Sequence, residues 1–100
     1  IGDVSVANQA QYQLANNATQ NGNLTLSDTA QAMVAGAKLN GNTASSQQSQ
    51  YRLIDGALQT GALTLSNEAN ALVNNATLSG DVSVANQAQY QLANNATQNV

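Results

Sequence analysis

The chain offers few side chains that could carry out chemistry. Its 100 residues include five carboxylates, two cations and three tyrosines, but no histidine and no cysteine. The commonest general bases, covalent nucleophiles and soft metal ligands are therefore missing. The charged and aromatic residues are Asp3, Asp28, Asp55, Glu68, Asp81, Lys38, Arg52, Tyr12, Tyr51 and Tyr90. Since the acids never form a tight pair, we predict no catalytic site, no metal site and no cofactor: the protein is expected not to be an enzyme.

The composition excludes further classes of function. Charged residues make up 7% of the chain, against about 25% in an average soluble domain. Asn and Gln replace them as the most frequent polar residues. The formal net charge of −3 leaves no basic patch for nucleic acid or anionic lipid. Apolar runs are very short, so we expect no membrane span.

The elements that must position these side chains are tandem repeats. Residues 2–21 and 80–99 are identical, and the three tyrosines recur at a constant interval. Glycines open units of alternating length, at 2–21, 22–40, 41–60, 61–79 and 80–99. Odd units carry Tyr where even units carry Ala32 or Ala71. We expect a single repeat array over residues 1–100, taken from a longer array, in which units of about 19–20 residues are paired into double units of about 39 residues.

Alternation of apolar and polar residues within each unit predicts strands, since a period of two marks a half-buried strand. The tyrosines share the parity of the apolar residues, so we expect them in the core rather than in an exposed carbohydrate-binding stripe. The predicted core ladder for self-assembly is Val4, Val6, Tyr12, Leu14, Leu24, Leu26, Val34, Tyr51, Leu53, Leu63, Leu65, Val73, Val82, Val84, Tyr90 and Leu92. A recurring polar position predicts a corner or a buried ladder of amides. Its residues are Asn8, Asp28, Gln47, Asn67 and Asn86.

A helix is the alternative for the second half of the even units. Ala30, Met33, Val34 and Ala37 follow helical spacing, and Ser27 could cap such a helix. The same spacing recurs from Ala69 to Ala76. The Tyr units disagree with this interpretation, because Tyr12 would then point away from the apolar face. We therefore favour an all-β stack, a β-solenoid or cross-β array, over a strand–helix α/β solenoid.

Stacking is required because a single strand–turn–strand unit cannot bury its own apolar row. In a parallel in-register stack, identical Asn and Gln side chains can bond one another between layers, whereas like charges would repel. The low charge fits this arrangement. One layer could hold a single unit, with Tyr and Ala layers alternating, or a whole double unit, with Tyr on Tyr. Alternate units match more closely than adjacent ones, which slightly favours the larger layer.

Two segments, residues 26–42 and 65–89, resemble repeats of the Fap family of bacterial functional amyloids. Leu78-Ser79-Gly80-Asp81-Val82-Ser83-Val84-Ala85, followed by Asn86-Gln87, is similar to the family's Gly- and Val-rich segment with its Asn/Gln cluster. The chain departs from the family by lacking its second Gly and its long linkers. Looser resemblances link Asn8, Ala10, Tyr12 and Gln13 to curlin repeats. Gly22-Leu24-Leu26 and Gly61-Leu63-Leu65 resemble coils of haemagglutinin-type β-helix adhesins.

These resemblances imply secretion, a cross-β fibre and a structural role in a biofilm. The expected function is thus an extracellular, self-assembling fibre protein of a bacterial surface or biofilm matrix. Its partner is another copy of itself, and a matrix polysaccharide is a further candidate. The alternatives are a monomeric β-helix stalk of an adhesin and a strand–helix solenoid that acts as an interaction scaffold.

Overall fold

The computed structural model describes residues 2–98, which form fifteen short β-strands and no helix. The strands are β1 Val4–Val6, β2 Gln11–Ala15, β3 Thr19–Gln20, β4 Leu24–Leu26, β5 Gln31–Ala35, β6 Lys38–Leu39, β7 Thr43–Ser45, β8 Gln50–Ile54, β9 Leu58–Gln59, β10 Leu63–Leu65, β11 Asn70–Asn74, β12 Thr77–Leu78, β13 Val82–Val84, β14 Gln89–Ala93 and β15 Thr97–Gln98. The all-β prediction is confirmed, and the strand–helix alternative is wrong. The segments with helical spacing form β5 and β11, in which Tyr-equivalent Ala32 and Ala71 face inward. In this described part, no helix has the length and hydropathy that a membrane span requires.

Three parallel sheets of five strands build a β-solenoid. Sheet 1 contains β1, β4, β7, β10 and β13; sheet 2 contains β2, β5, β8, β11 and β14; sheet 3 contains β3, β6, β9, β12 and β15. Each repeat unit contributes one strand to each sheet, so one unit is one coil of the solenoid. Strands of neighbouring coils pair in register, for example Val4 with Leu24 and Leu24 with Thr43. We number the coils 1 to 5 in chain order.

One coil therefore holds a single unit, and the slight preference for a layer made of a double unit is wrong. Tyr12 in coil 1 pairs with Ala32 in coil 2, which in turn pairs with Tyr51 in coil 3. Backbone hydrogen bonds require only that strands match in length and register, so they repeat at every coil. The side chains alternate between two types, and this alternation produces the longer period in the sequence. We call coils 1, 3 and 5 Tyr coils, and coils 2 and 4 Ala coils.

The first corner joins sheets 1 and 2 through two residues with positive φ in every coil. In coil 1 these are Asn8 (φ 57°) and Gln9 (φ 68°). The amide of Ala10 donates to the carbonyl of Ala7 at 3.1 Å and closes the turn, as in the type I′ turns that require positive φ at both central positions. No glycine occupies this corner, and in coil 2 the β-branched Thr29 adopts a φ of 61°.

The second corner, between sheets 2 and 3, contains the one-residue difference between the coils. Tyr coils turn through two residues, as at Asn16 and Asn17, whereas Ala coils turn with one residue of positive φ, Gly36 or Asn75. The third corner carries the repeating glycines because neighbouring coils approach closely there. A Cβ atom on Gly41 would overlap the carbonyl group of Gly22. Glycine at the third corner thus permits the coils to stack.

The core lies inside the coils and is built from inward-facing Leu, Val, Ala and Tyr side chains. In the three internal coils, every inward residue of sheets 1 and 2 is buried. Every layer covers the next, so burial is nearly complete although no single coil encloses a core of its own.

Candidate self-assembly interface

Most residues of the predicted core ladder lie in the interior, in columns that run along the solenoid. Leu24, Val34, Leu53, Leu63 and Val73 have no exposed surface. Tyr51 is 1% exposed and packs between two Ala coils. The tyrosines therefore belong to the core columns, and the carbohydrate-binding stripe does not describe them. Whether these columns also drive association between chains remains a prediction.

The two coil types fill the interior in complementary ways. In an Ala coil, sheet 1 supplies two leucines, as Leu24 and Leu26, and sheet 2 supplies the small Ala32. In the central Tyr coil, sheet 1 supplies the smaller Thr43 and Ser45, and sheet 2 supplies Tyr51. Large and small residues thus alternate both across one coil and from coil to coil, which is how facing layers reach native packing density.

A pair of hydrogen-bonded polar side chains inside each Tyr coil was missed by the sequence analysis. The Tyr51 hydroxyl donates to Oε1 of Gln59 at 2.5 Å, and both residues are buried. The Gln59 side-chain amide donates to the carbonyls of Gly61 and Ala62 at 3.2 and 2.9 Å. The same hydroxyl–amide bond joins Tyr12 to Gln20 and Tyr90 to Gln98. The signal was in the sequence: Gln follows Tyr at a fixed spacing in every Tyr coil, whereas the Ala coils have Leu39 and Leu78 in the Gln column.

Burial of these phenols has an electrostatic consequence. Desolvation raises the pKa of Tyr51 far above its usual value, and a hydrogen bond with Thr43 opposes this only in part. Burial also raises the pKa of Tyr12 and of Tyr90. Each phenol is therefore a neutral hydrogen-bond donor at ordinary pH, and the raised values reflect packing in the core.

Further polar groups line the core of coil 3, where the alternating apolar pattern fails in the sequence. Ser45 and Ser49 share a hydrogen bond of 2.5 Å between their hydroxyls. The Thr43 hydroxyl donates to Oε1 of Gln59 at 3.3 Å, so this amide oxygen serves two donors. The hydroxyls are paired within the coil, and a polar layer is accommodated without an unsatisfied group at these positions.

The recurring polar residues Asn8, Asp28, Gln47, Asn67 and Asn86 lie at the first corner with positive φ and exposed side chains. Of the two predictions for this position, the corner agrees with the structure and the buried ladder of amides does not. Another ladder follows the glycines of the third corner. The Asp3 side chain accepts a hydrogen bond from the backbone amide of Asn23 at 2.8 Å, and the Asn23 side-chain oxygen accepts one from the backbone amide of Asn42 at 2.9 Å. These side chains connect successive coils at the surface.

The two ends of the array differ from its interior. Among the described strands, β1, β2 and β3 have a neighbour on one side only, and so have β13, β14 and β15. Val84 is 47% and Leu92 is 45% exposed, whereas the equivalent Leu65 and Leu53 are fully buried. Val4, Tyr12, Val82 and Tyr90 are half-buried for the same reason. Each end of the described array thus exposes part of an apolar layer together with strand edges that pair with no other described strand.

The remaining charged residues lie apart on the surface. Lys38 and Arg52 are exposed on the outer faces of sheets 3 and 2. Across residues 2–98, no three side chains of the metal-ligating types come together. The outer face of sheet 2 forms two grooves lined mainly by amides, both of which include Gln50 and Arg52. On sheet 1, the outward-facing residues Ser5, Thr25, Thr64 and Ser83 are exposed.

The fold defines a class: a tandem-repeat parallel β-solenoid, compatible with a structural role as a fibre element or a stalk. Comparisons with protein-family models, curated proteins and solved structures gave no significant match to this chain. The resemblance to Fap repeats therefore remains an expectation that these comparisons do not address.

Proposed function

We propose that this protein is an extracellular, non-enzymatic fibre element in which coils of one chain stack on coils of the next. The observation that carries the proposal is the stack itself, because each internal coil buries its inward residues only where a neighbouring coil covers it. Val84 and Leu92 would become as buried as Leu65 and Leu53 if one more coil were added. An added coil would also pair the free edges of all three sheets at a spacing of about 4.8 Å.

Several features support the extracellular, biofilm-type setting in this proposal. The chain carries little charge, so it suits a stack in which each layer repeats the last. Its segments at 26–42 and 65–89 resemble a secreted amyloid family. The amide-lined grooves beside Arg52 are suited to hydrogen bonding with a matrix polysaccharide. Detection of the protein outside the cells that make it, in the insoluble matrix fraction, is the corresponding test of location.

The assembly test compares two charge-matched double variants with the original chain. Val84→Lys with Leu92→Lys puts ammonium groups on the inward side of the last coil, where stacking would desolvate them. Ser83→Lys with Gln91→Lys puts the same charge on the exposed outer side of the same strands. We expect the original chain and the outer-face variant to form fibres above a threshold concentration, and the inward variant to stay soluble. Equal assembly of the two variants would contradict end-to-end stacking.

The alternative function, a monomeric stalk, makes the opposite prediction for concentration. The folded chain measures 27 × 25 × 18 Å, and as part of a longer array such a solenoid is a stiff spacer. A stalk would sediment as a monomer at every concentration, and its thioflavin fluorescence would not increase with time. A nucleation lag followed by growth would support the fibre instead.

A further inference from the structure

We infer that a coil selects its stacking partner by type, so that a Tyr coil accepts an Ala coil in preference to another Tyr coil. The inference deepens the assembly proposed above and rests on it. It names the partner of an uncovered Tyr coil: an Ala coil of a second copy of this chain.

Every contact between coils within the chain joins opposite types. In sheet 2, Tyr12, Ala32, Tyr51, Ala71 and Tyr90 follow one another. In sheet 3, the inward residues alternate between Gln and Leu. In sheet 1 the order of large and small side chains is reversed, because there the Ala coils carry leucines and the Tyr coils carry smaller residues. None of the four contacts joins two coils of the same type.

The size of the phenol explains this alternation. Tyr51 is fully buried between Ala32 and Ala71. Since strands of adjacent coils are only about 4.8 Å apart, a second phenol directly above or below Tyr51 would have to fit where the structure has the single methyl group of an alanine. Protein interiors at native packing density offer little other room.

The polar half of the pair leads to the same requirement. Gln59 obtains its hydrogen bonds from Tyr51, from Thr43 and from the carbonyls of the corner that follows it. It therefore needs an apolar neighbour that covers it rather than another hydrogen-bonding group. Leu39 and Leu78, both fully buried, provide that cover on either side.

A head-to-tail joint of the present chain would break the alternation, because coils 1 and 5 are both Tyr coils of identical sequence. Tyr90 would stack on Tyr12, and Leu92 on Leu14, so the sheet 2 side would be overfilled. Val82 and Val84 would meet Val4 and Val6, so the sheet 1 side would be underfilled. An overfilled half beside an underfilled half penalises the joint.

The number of coils is therefore expected to control assembly through its parity. A six-coil chain, made by adding a second copy of residues 22–40 after residue 99, begins with a Tyr coil and ends with an Ala coil. A seven-coil chain, made by adding a copy of residues 41–60 as well, again has two Tyr ends. The seven-coil chain is the matched control for length.

The test measures the critical concentration for assembly of the five-, six- and seven-coil chains by sedimentation. Circular dichroism first verifies that each soluble chain is folded. We expect the six-coil value to be at least tenfold below both others, which is about 1.4 kcal/mol per joint. Equal values, or a steady decrease from five to seven coils, would overturn the inference but leave assembly intact. If no chain assembled at any concentration, the proposed function would fall with it.

A mixing experiment gives an independent result. The first coil of a five-coil chain fits the Ala end of a six-coil fibre, but it then leaves a Tyr end that excludes the next chain. Substoichiometric five-coil protein is therefore expected to stop growth of six-coil fibres at one end. Growth at an unchanged rate, or five-coil protein incorporated along the whole fibre, would contradict selection by coil type.

Discussion

The buried pair of Tyr51 and Gln59 gives a quantitative test of the core. Removing the hydroxyl by Tyr51→Phe costs one neutral hydrogen bond, about 1 kcal/mol, because Thr43 still serves the amide oxygen at 3.3 Å. Removing the amide by Gln59→Leu leaves the buried hydroxyl without its acceptor, and such a group costs about 1–3 kcal/mol. Leucine itself suits the site, since Leu39 and Leu78 occupy the same column in the Ala coils.

The double variant Tyr51→Phe with Gln59→Leu removes both partners together and leaves an apolar layer. Its free energy of unfolding should therefore decrease by less than the sum of the single losses. We expect a coupling energy of about 1.5 kcal/mol, within the range for residues in direct contact. The measurement is equilibrium urea unfolding followed by far-UV circular dichroism, with the four proteins of the cycle compared under one set of conditions.

The equivalent pair at the end of the array is the internal control. Tyr12 bonds Gln20 in the same way, but Tyr12 is only half-buried, so water can reach a hydroxyl left without its acceptor. The coupling energy in coil 1 should be below about half of that in coil 3. Losses that add within about 0.4 kcal/mol in coil 3, or equal coupling in the two coils, would refute the argument that burial makes this pair important.

Three further predictions concern the corners and the pH dependence. Gly41→Ala places a Cβ atom against the Gly22 carbonyl group and should cost roughly 3 kcal/mol, whereas Gly2→Ala, with nothing within 4 Å, should change urea unfolding by less than about 0.5 kcal/mol; equal losses would contradict the close approach. Thr29→Asn should stabilise the chain by about 1 kcal/mol, because Asn tolerates the left-handed region better than a β-branched residue; an unchanged or lower melting temperature would contradict this. Since burial raises the pKa of Tyr51 in the folded state, its stabilising contribution is complete below about pH 10, the unfolded value, and is lost as the pH rises towards the folded value. The free energy of unfolding should then decrease by up to about 1.4 kcal/mol per pH unit for this phenol, and Tyr51→Phe should make the decrease shallower.

The sequence predicted the strands because their side chains alternate between interior and solvent. It did not predict the strands of sheet 3, which are very short, as in Thr19–Gln20. So short a strand has no detectable period, and in the Tyr coils its inward residue is a glutamine, which looks exposed in a sequence. Bonds to Tyr12 and to the carbonyls of Gly22 and Asn23 satisfy the Gln20 side chain inside the core.

The corners were predictable in position but not in geometry. Asn8 and its equivalents interrupt the apolar pattern, and the structure turns there. Positive φ is expected at Gly36 and Gly56, but a glutamine or threonine in the left-handed region is not. The turn is enforced by the stack, since the Gln9 amide bonds to the Asp28 carbonyl of the next coil at 3.0 Å. Stacked coils therefore stabilise a backbone conformation that these residues would not favour alone.

The error about the size of a layer has a physical cause. Backbone ladders repeat every coil, because any residue can supply an amide and a carbonyl. Side-chain volume repeats every second coil, because a tyrosine fills space that an alanine leaves. The additional residue at the second corner follows the same two-coil rule, since Asn16 and Asn17 directly follow the strand that contains Tyr12. In such a chain the long period of the sequence describes how layers differ, whereas the short period describes how they join. A search for further solenoids of this kind should therefore look for paired exchanges, such as Tyr with Gln for Ala with Leu, at half the strongest sequence period.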